Sequence, residues 1–336
     1  MIKKLIIFYF TPQGKKLAEE LGEKELGEEV TLFQGTSKEI IKLLKSNWQP
    51  NTAFLFIGAM GIAVRLIAPL VKDKLSDPAV IVADEKGKYF ISVLAGHYGG
   101  ANEICKLLAQ TLGGEAVITT ATDVQGKVGL DVLAKKYGLK YDHRDVFKVV
   151  NSALVRGEEV NFYAKSLPLD FPYPFKQEGE KEFSGIKVVI SPYVSEKKLR
   201  EYQLYPPAIW VGVGCRRGVS LETLETAIFK ALEKAEVSIL GVAGISSIDL
   251  KKEEKAILDF SFKYKLKTKF FSGEELLEVI AEKKLNQSTK VLEKIGVGNV
   301  CEAAALKAVT AGELILPKTK FPQVTVALAE NSVWWE

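Results

Sequence analysis

The sequence predicts an α/β protein, with two layered α/β domains (N- and C-terminal) joined by a smaller, less regular middle segment. Three observations carry this. Short β-branched and aromatic runs alternate with amphipathic helical stretches near both ends of the chain. Helix-start signals stand at the junctions: Thr11 before Pro12, Thr36 with Glu39, Ser220, and Ser272 with Glu275. Between the ends the alternation weakens, and Leu167–Pro174 is a proline-rich loop. The domains expected are 1–125, a variable middle or linker over 126–205, and 206–336.

In order, Lys3–Phe10 reads as a strand, with Thr11 capping a helix that follows. Val30–Phe33 is a short strand, and Thr36 opens a helix over Ile40–Leu44. Ala53–Ile57 is a buried strand, then a glycine turn and a helix from about Ile62. Ala79–Ala83 and Tyr89–Leu94 flank Asp84-Glu85-Lys86-Gly87, a hairpin turn. Asn102–Leu112 is helical and Ala116–Thr119 a strand, so a largely parallel sheet is expected. The last segment starts with the strand Ala208–Val213, and Ser220 caps a helix to about Lys234. Then come a strand at Val237–Ala243, a helix near Lys252–Lys265, a strand at Thr268–Phe271 and the helix capped by Ser272. A helix around Glu302–Ala311 and a strand at Val324–Leu328 close the chain.

Composition excludes several classes. No apolar run reaches the ~20 residues of a membrane-spanning helix, so no membrane partner is expected. Lys3 and Lys4 before Leu5–Phe10 mimic a signal peptide, but the run is short, β-branched and aromatic, with no small-residue cleavage site. The cytoplasm is the expected location. Cys105, Cys215 and Cys301 lie far apart without a C-x-x-C pair, which argues against a zinc knuckle or a disulfide framework. Two histidines cannot form a multi-histidine metal cage, and no cofactor is expected. A net charge of +4 suits an anionic substrate and gives little support to a nucleic-acid partner.

Glycine-rich stretches mark the candidate sites. In Ile57–Arg65 a glycine turn opens a helix, with Arg65 adding a cation; a plain strand–turn–helix connection reads equally well. In Ala95–Asn102 three glycines surround His97, a poor position for core filler and a suitable one for a general base, a general acid or a ligand to a bound metal; a hydrogen-bonded turn residue is the plainer alternative. Val117–Asp123 releases hydroxyls and the carboxylate of Asp123 at a strand end, for binding or for turn capping. Gly212–Gly218 carries a G-x-G and the adjacent Arg216 and Arg217, which suit carboxylate or phosphate recognition or form a solvated surface pair. Gly296–Leu306 opens a helix whose alanines permit close packing; Cys301 reads as filler and Glu302 as a helix-start acid. No G-x-S-x-G elbow, H-E-x-x-H or Walker loop is present.

These stretches, in this order, resemble the cobalt-precorrin-5A hydrolase family (CbiG-type proteins) over nearly the whole chain. The strongest words are Phe56–Pro69 with Asp77-Pro78-Ala79-Val80, Gly96–Asn102 with Thr119–Asp123, Gly212–Gly218, and Asn299–Ala304. Ala95 stands where serine is often found in this family, which argues against a serine nucleophile there. The resemblance implies a three-part chain and a hydrolase acting on a carbon–carbon bond. Its substrate would be a cobalt tetrapyrrole whose ring-A acetate is closed as a lactone on a methylated meso carbon. Water opens the lactone, and that carbon leaves with its methyl as acetaldehyde. The cobalt belongs to the substrate, and neighbouring enzymes of cobalamin biosynthesis are further possible partners.

That chemistry needs a base, and His97 is the first candidate, with Asp123 second. Gly99 and Gly100 could supply N–H donors to an oxyanion. Arg65, Arg216 and Arg217, with Asn102 and Glu302, would bind the substrate and its carboxylates. Two other readings stay open: a non-catalytic corrinoid carrier, and a nucleotide-binding protein using Gly212–Gly218.

Overall fold

In a computed structural model of the chain, the apolar runs of its first unit pair into one six-stranded sheet. The structure describes residues 3–24, 26–73, 76–177, 185–195 and 199–335, and only the backbone of Thr122 and Val124. It divides into two units, Met1–Val132 and Leu133–Glu336.

The first unit holds β1 (Lys4–Tyr9), α1 (Pro12–Gly22), β2 (Glu29–Phe33), α2 (Ser37–Asn47), β3 (Thr52–Ile57) and α3 (Met60–Ile67). It continues with β4 (Ala79–Ala83), β5 (Tyr89–Leu94), α4 (Ala101–Leu112), β6 (Glu115–Val117) and α5 (Ala121–Val124). Strand order is β2-β1-β3-β4-β5-β6. All six residues of β3 are buried, as a strand covered on both faces requires. Side-chain alternation sorts the core into two layers. Leu5, Ile7, Leu55 and Ile81 face one layer with Leu17 and Leu108, while Ile6, Phe8, Phe54 and Val82 face the other with Ile40 and Leu66. Thr11 caps α1, and Thr36 with Glu39 forms the expected capping box on α2.

The first four strands are parallel, but the hairpin after β4 reverses the last two. Its turn is fixed by the Asp84 carboxylate, which accepts the Lys86 N–H at 2.8 Å and the Tyr89 N–H at 2.6 Å. The carboxyl ends of β5 and β6 therefore share the edge opposite to the carboxyl ends of β1–β4.

α6 (Leu130–Lys136) follows, then α7 (Asp145–Arg156) and the short strands β7 (Val160–Ala164), β8 (Phe175–Lys176), β9 (Ile186–Ile190) and β10 (Glu201–Leu204). These four pair in parallel as β10-β9-β7-β8. The chain ends with β11 (Ile209–Cys215), α8 (Leu221–Lys234), β12 (Val242–Ile248), α9 (Lys255–Tyr264), β13 (Lys267–Phe271) and α10 (Gly273–Glu282). α11 (Thr289–Ile295), α12 (Val300–Ala308), β14 (Gly312–Phe321) and β15 (Val324–Asn331) complete it. The third sheet runs β13-β12-β11-β15-β14, with β15 antiparallel to both neighbours.

The strand expected at Val237–Ala243 lies instead at Val242–Ile248. Ser238 caps a single 3₁₀ turn over Ile239–Gly241, which takes up the apolar residues before the strand. The true strand contains Ser246 and Ser247, buried because their hydroxyls donate to the carbonyls of Val211 and Val213. β14 was not expected; Pro317 interrupts its pattern, as an edge strand allows. Among the described residues no helix is long and apolar enough to cross a membrane.

Candidate active site

His97 leaves the carboxyl end of β5 in a turn that its own backbone closes. Ala95 adopts a left-handed conformation at φ 54°, unusual for a residue with a side chain. Gly100 donates its N–H to the His97 carbonyl at 3.1 Å, and Asn102 donates its N–H to the Gly96 carbonyl at 3.0 Å. Gly99 is buried against Ala95 and the start of β4, where a side chain would meet the Ala95 carbonyl oxygen at 2.8 Å. These glycines shape the turn. The Gly100 N–H is committed to that turn and is not offered to an oxyanion.

Asp123 arrives from the carboxyl end of the neighbouring β6, in the single turn α5. Its Oδ2 lies 2.5 Å from His97 Nε2, within hydrogen-bonding distance, and accepts from Asn102 Nδ2 at 3.0 Å. Asn102 also donates to Thr120 Oγ1 at 3.3 Å and is only 1% exposed. Its role is thus to hold Asp123 rather than to present an amide to a ligand. Gly96 is needed beside it, since a methyl group there would stand 2.6 Å from Asn102 Oδ1.

A cavity of about 310 Å³ opens over this pair, lined by His97, Asn102, Glu103, Lys106, Asp123, Lys127 and neighbouring backbone. Lys106, one helical turn beyond Asn102, places Nζ 3.8 Å from Asp123 Oδ1 and 3.0 Å from Glu103 Oε1. On the far side of the ring, the 3%-exposed Asp131 places Oδ2 3.9 Å from His97 Nδ1. Sequence reasoning missed both Lys106 and Asp131. The i,i+4 spacing from Asn102 could have found Lys106, whereas an acid in the first turn of a helix is too common to single out Asp131.

Of the other candidates, Arg65 belongs to the same unit as His97, and Arg216, Arg217 and Glu302 belong to the second. Ile57 pairs with Ala83 at one end of β4, and Leu94 pairs with Val80 at the other. The Gly58–Gly61 turn and His97 therefore occupy opposite edges of the sheet, and Arg65 folds back over Gly61 on the edge away from His97. In the second unit, Arg216 and Arg217 are exposed after β11, with no side-chain partner among the described residues. Glu302 is buried at the start of α12, where its carboxylate accepts the Lys318 N–H at 2.7 Å and the Asn299 amide. It caps backbone and does not face a ligand. Cys301 is buried in the same helix, and burial pushes its thiol up to about 11.

Three family models cover most of the chain in order: cobalamin synthesis G N-terminal on residues 42–123, cobalamin biosynthesis central region on 128–206, and cobalamin synthesis G C-terminus on 209–329. A protein of Salmonella typhimurium named cobalt-precorrin-5A hydrolase is 33% identical over 97% of this chain and 97% of its own length. The chain belongs to the cobalt-precorrin-5A hydrolase family. A Priestia megaterium protein of the same name is 32% identical over 91% of this chain and 84% of its own. Within the family chain, His97, Asn102 and Asp123 fall in the part matched by the N-terminal model, and Arg216, Arg217 and Glu302 in the part matched by the C-terminal one.

Proposed function

We propose that this chain is a cytoplasmic cobalt-precorrin-5A hydrolase whose reaction runs at His97 and Asp123. The observation that carries the reading is the 2.5 Å contact between His97 Nε2 and Asp123 Oδ2 at the wall of an open cavity. A histidine and a carboxylate sharing one proton form a base that accepts a proton from water and returns it later. Asn102 holds the carboxylate in place, so the pair is set before substrate arrives.

Water attacks the lactone carbonyl while the pair takes its proton. The tetrahedral oxyanion then collapses, breaking the acyl C–O bond and releasing the ring-A acetate. The freed oxygen stays on the methylated meso carbon. As its O–H proton leaves to base, the C–O bond becomes a carbonyl and the C–C bond to the macrocycle breaks. The electron pair passes into the conjugated macrocycle, which is protonated, and acetaldehyde departs. Lys106 stands 3.8 Å from Asp123 Oδ1 and is a cation available to the developing oxyanion. A cavity of about 310 Å³ takes the lactone-bearing edge of a macrocycle rather than the whole ring. Arg216 and Arg217 are the cations we assign to peripheral carboxylates, and no cofactor beyond the substrate's own cobalt enters the scheme.

Incubation of the purified protein with the lactone-bearing cobalt corrinoid, read by aldehyde trapping and corrinoid mass, tests this. Gain of water and loss of the two-carbon unit is the expected mass change. Tight binding with an unchanged mass would leave a carrier in its place.

A further inference from the structure

Within the second unit, α7 and the edge strand β10 flank an open cavity of about 770 Å³. Small-molecule and cofactor sites run to about 300–1,000 Å³. The apolar positions Val146, Phe147, Val150, Ala153 and Leu154 of α7 are buried, and Lys148, Val149 and Ser152 of the same helix line the cavity. Arg200 and Tyr202 line it from the strand side. His143 stands just before α7 on the cavity wall, exposed and with no side-chain partner among the described residues. We propose that this cavity docks a face of the substrate's corrin ring, with the His143 imidazole as an axial ligand of its cobalt. This rests on the reading of the substrate as a cobalt corrinoid.

A neutral imidazole offers one nitrogen lone pair and is a common ligand for first-row transition metals. A corrin holds its metal in the plane of the macrocycle, so a protein ligand reaches it from above or below the ring. The nitrogen donates its lone pair to cobalt and displaces a solvent ligand; no other bond changes. Of the two imidazoles in the chain, His97 lies 2.5 Å from Asp123 and belongs to the hydrolytic pair. The three thiols are pushed up by burial and offer little thiolate to a metal. His143 is the imidazole left for cobalt to reach. Lys148, also without a side-chain partner among the described residues, is a cation for a ring carboxylate, and Val149 and Tyr202 give apolar surface to the macrocycle. Asp142, Asp145 and Glu201 border the cavity too, with Glu201 held by Lys187 at 3.2 Å. The cavity is therefore no general anion trap, and ligation of the metal is what would select a corrinoid.

Cob(II)yrinic acid has free side-chain carboxylates but neither a lactone nor a nitrogen base of its own, so it probes this site without turnover. In the electron paramagnetic resonance spectrum of that corrinoid bound to the untagged protein, each cobalt line should split into a triplet from one ¹⁴N nucleus. His97→Ala should keep the triplet. His143→Gln should lose it and bind the corrinoid roughly tenfold or more weakly. The exposed ring at 143 carries no core packing, so the variant should fold. If it does not, ¹⁵N-histidine labelling of His97→Ala decides: a triplet that becomes a doublet there can come only from His143, and a triplet that stays overturns the proposal. An unsplit spectrum of the bound corrinoid in wild type, a triplet surviving in His143→Gln, or no binding at all also overturns it. A triplet that depends on His143, in a protein that releases no acetaldehyde from the lactone-bearing corrinoid, would sink the hydrolase reading and leave the docking site standing.

Discussion

α12 crosses strand β11 so closely that a methyl group on Gly212 would lie 1.9 Å from the carbonyl oxygen of Cys301. The first glycine of the G-x-G stretch is thus a packing device. Ala303, Ala304 and Ala305 continue the same close approach, all fully buried. Gly212→Ala must push the helix off the sheet, and overpacking of this kind costs about 1–3 kcal/mol or more. We expect a matching loss in denaturant unfolding. Stability within 0.5 kcal/mol of wild type, the range of an ordinary surface substitution, would show that the helix moves freely.

Asn102 links the fold to the chemistry. Asn102→Ala removes the amide that Asp123 and Thr120 Oγ1 accept from, so stability should fall by about 1–3 kcal/mol. Turnover should fall further than the folded fraction does, since Asp123 loses the donor that fixes it. Equal losses in both would make Asn102 purely structural.

Much of this was legible in the sequence, and the failures have physical causes. Capping signals at Thr11, Thr36, Ser220 and Ser272 placed helix starts correctly, because a cap is a local hydrogen bond. His97 and Asp123 stood out as chemistry-bearing residues at strand ends. Their pairing depends on β5 and β6 being parallel neighbours, which no local pattern reveals. The same reversal after β4 separates Arg65 from His97, although their glycine turns look alike in sequence. Buried serines hid β12, and strands of two to five residues gave the middle segment too little alternation to read.

The cysteines should be inert near neutral pH. Burial pushes the Cys215 thiol up to about 11 and Cys105 up to about 12, alongside Cys301 at about 11. Only thiolate is nucleophilic, so a thiol raised from its ordinary value by two pH units reacts roughly 100-fold more slowly at pH 7.5. Iodoacetamide labelling should be slow in folded protein, climb with pH towards about 11, and accelerate at once in denaturant. Cys301→Ser should keep substantial turnover. Rapid labelling of folded protein at pH 7.5 would contradict the burial argument.

Arg216→Ala with Arg217→Ala should weaken corrinoid binding by roughly tenfold or more, the loss of one or two charge-assisted contacts. Added salt should weaken the wild type and leave the variant less affected, because exposed charges are screened. Matching affinity and matching salt dependence in the two proteins would make these arginines ordinary surface residues.

The site itself is tested most directly by single-turnover acetaldehyde release from the lactone-bearing cobalt corrinoid, compared between wild type and His97→Ala. His97 packs little core, so the variant should fold and bind corrinoid normally. Wild type should release one acetaldehyde per corrinoid, and His97→Ala should do so at least about 100-fold more slowly, as for a lost general base. Release by folded His97→Ala at close to the wild-type rate would contradict the assignment and move the chemistry away from the His97–Asp123 pair.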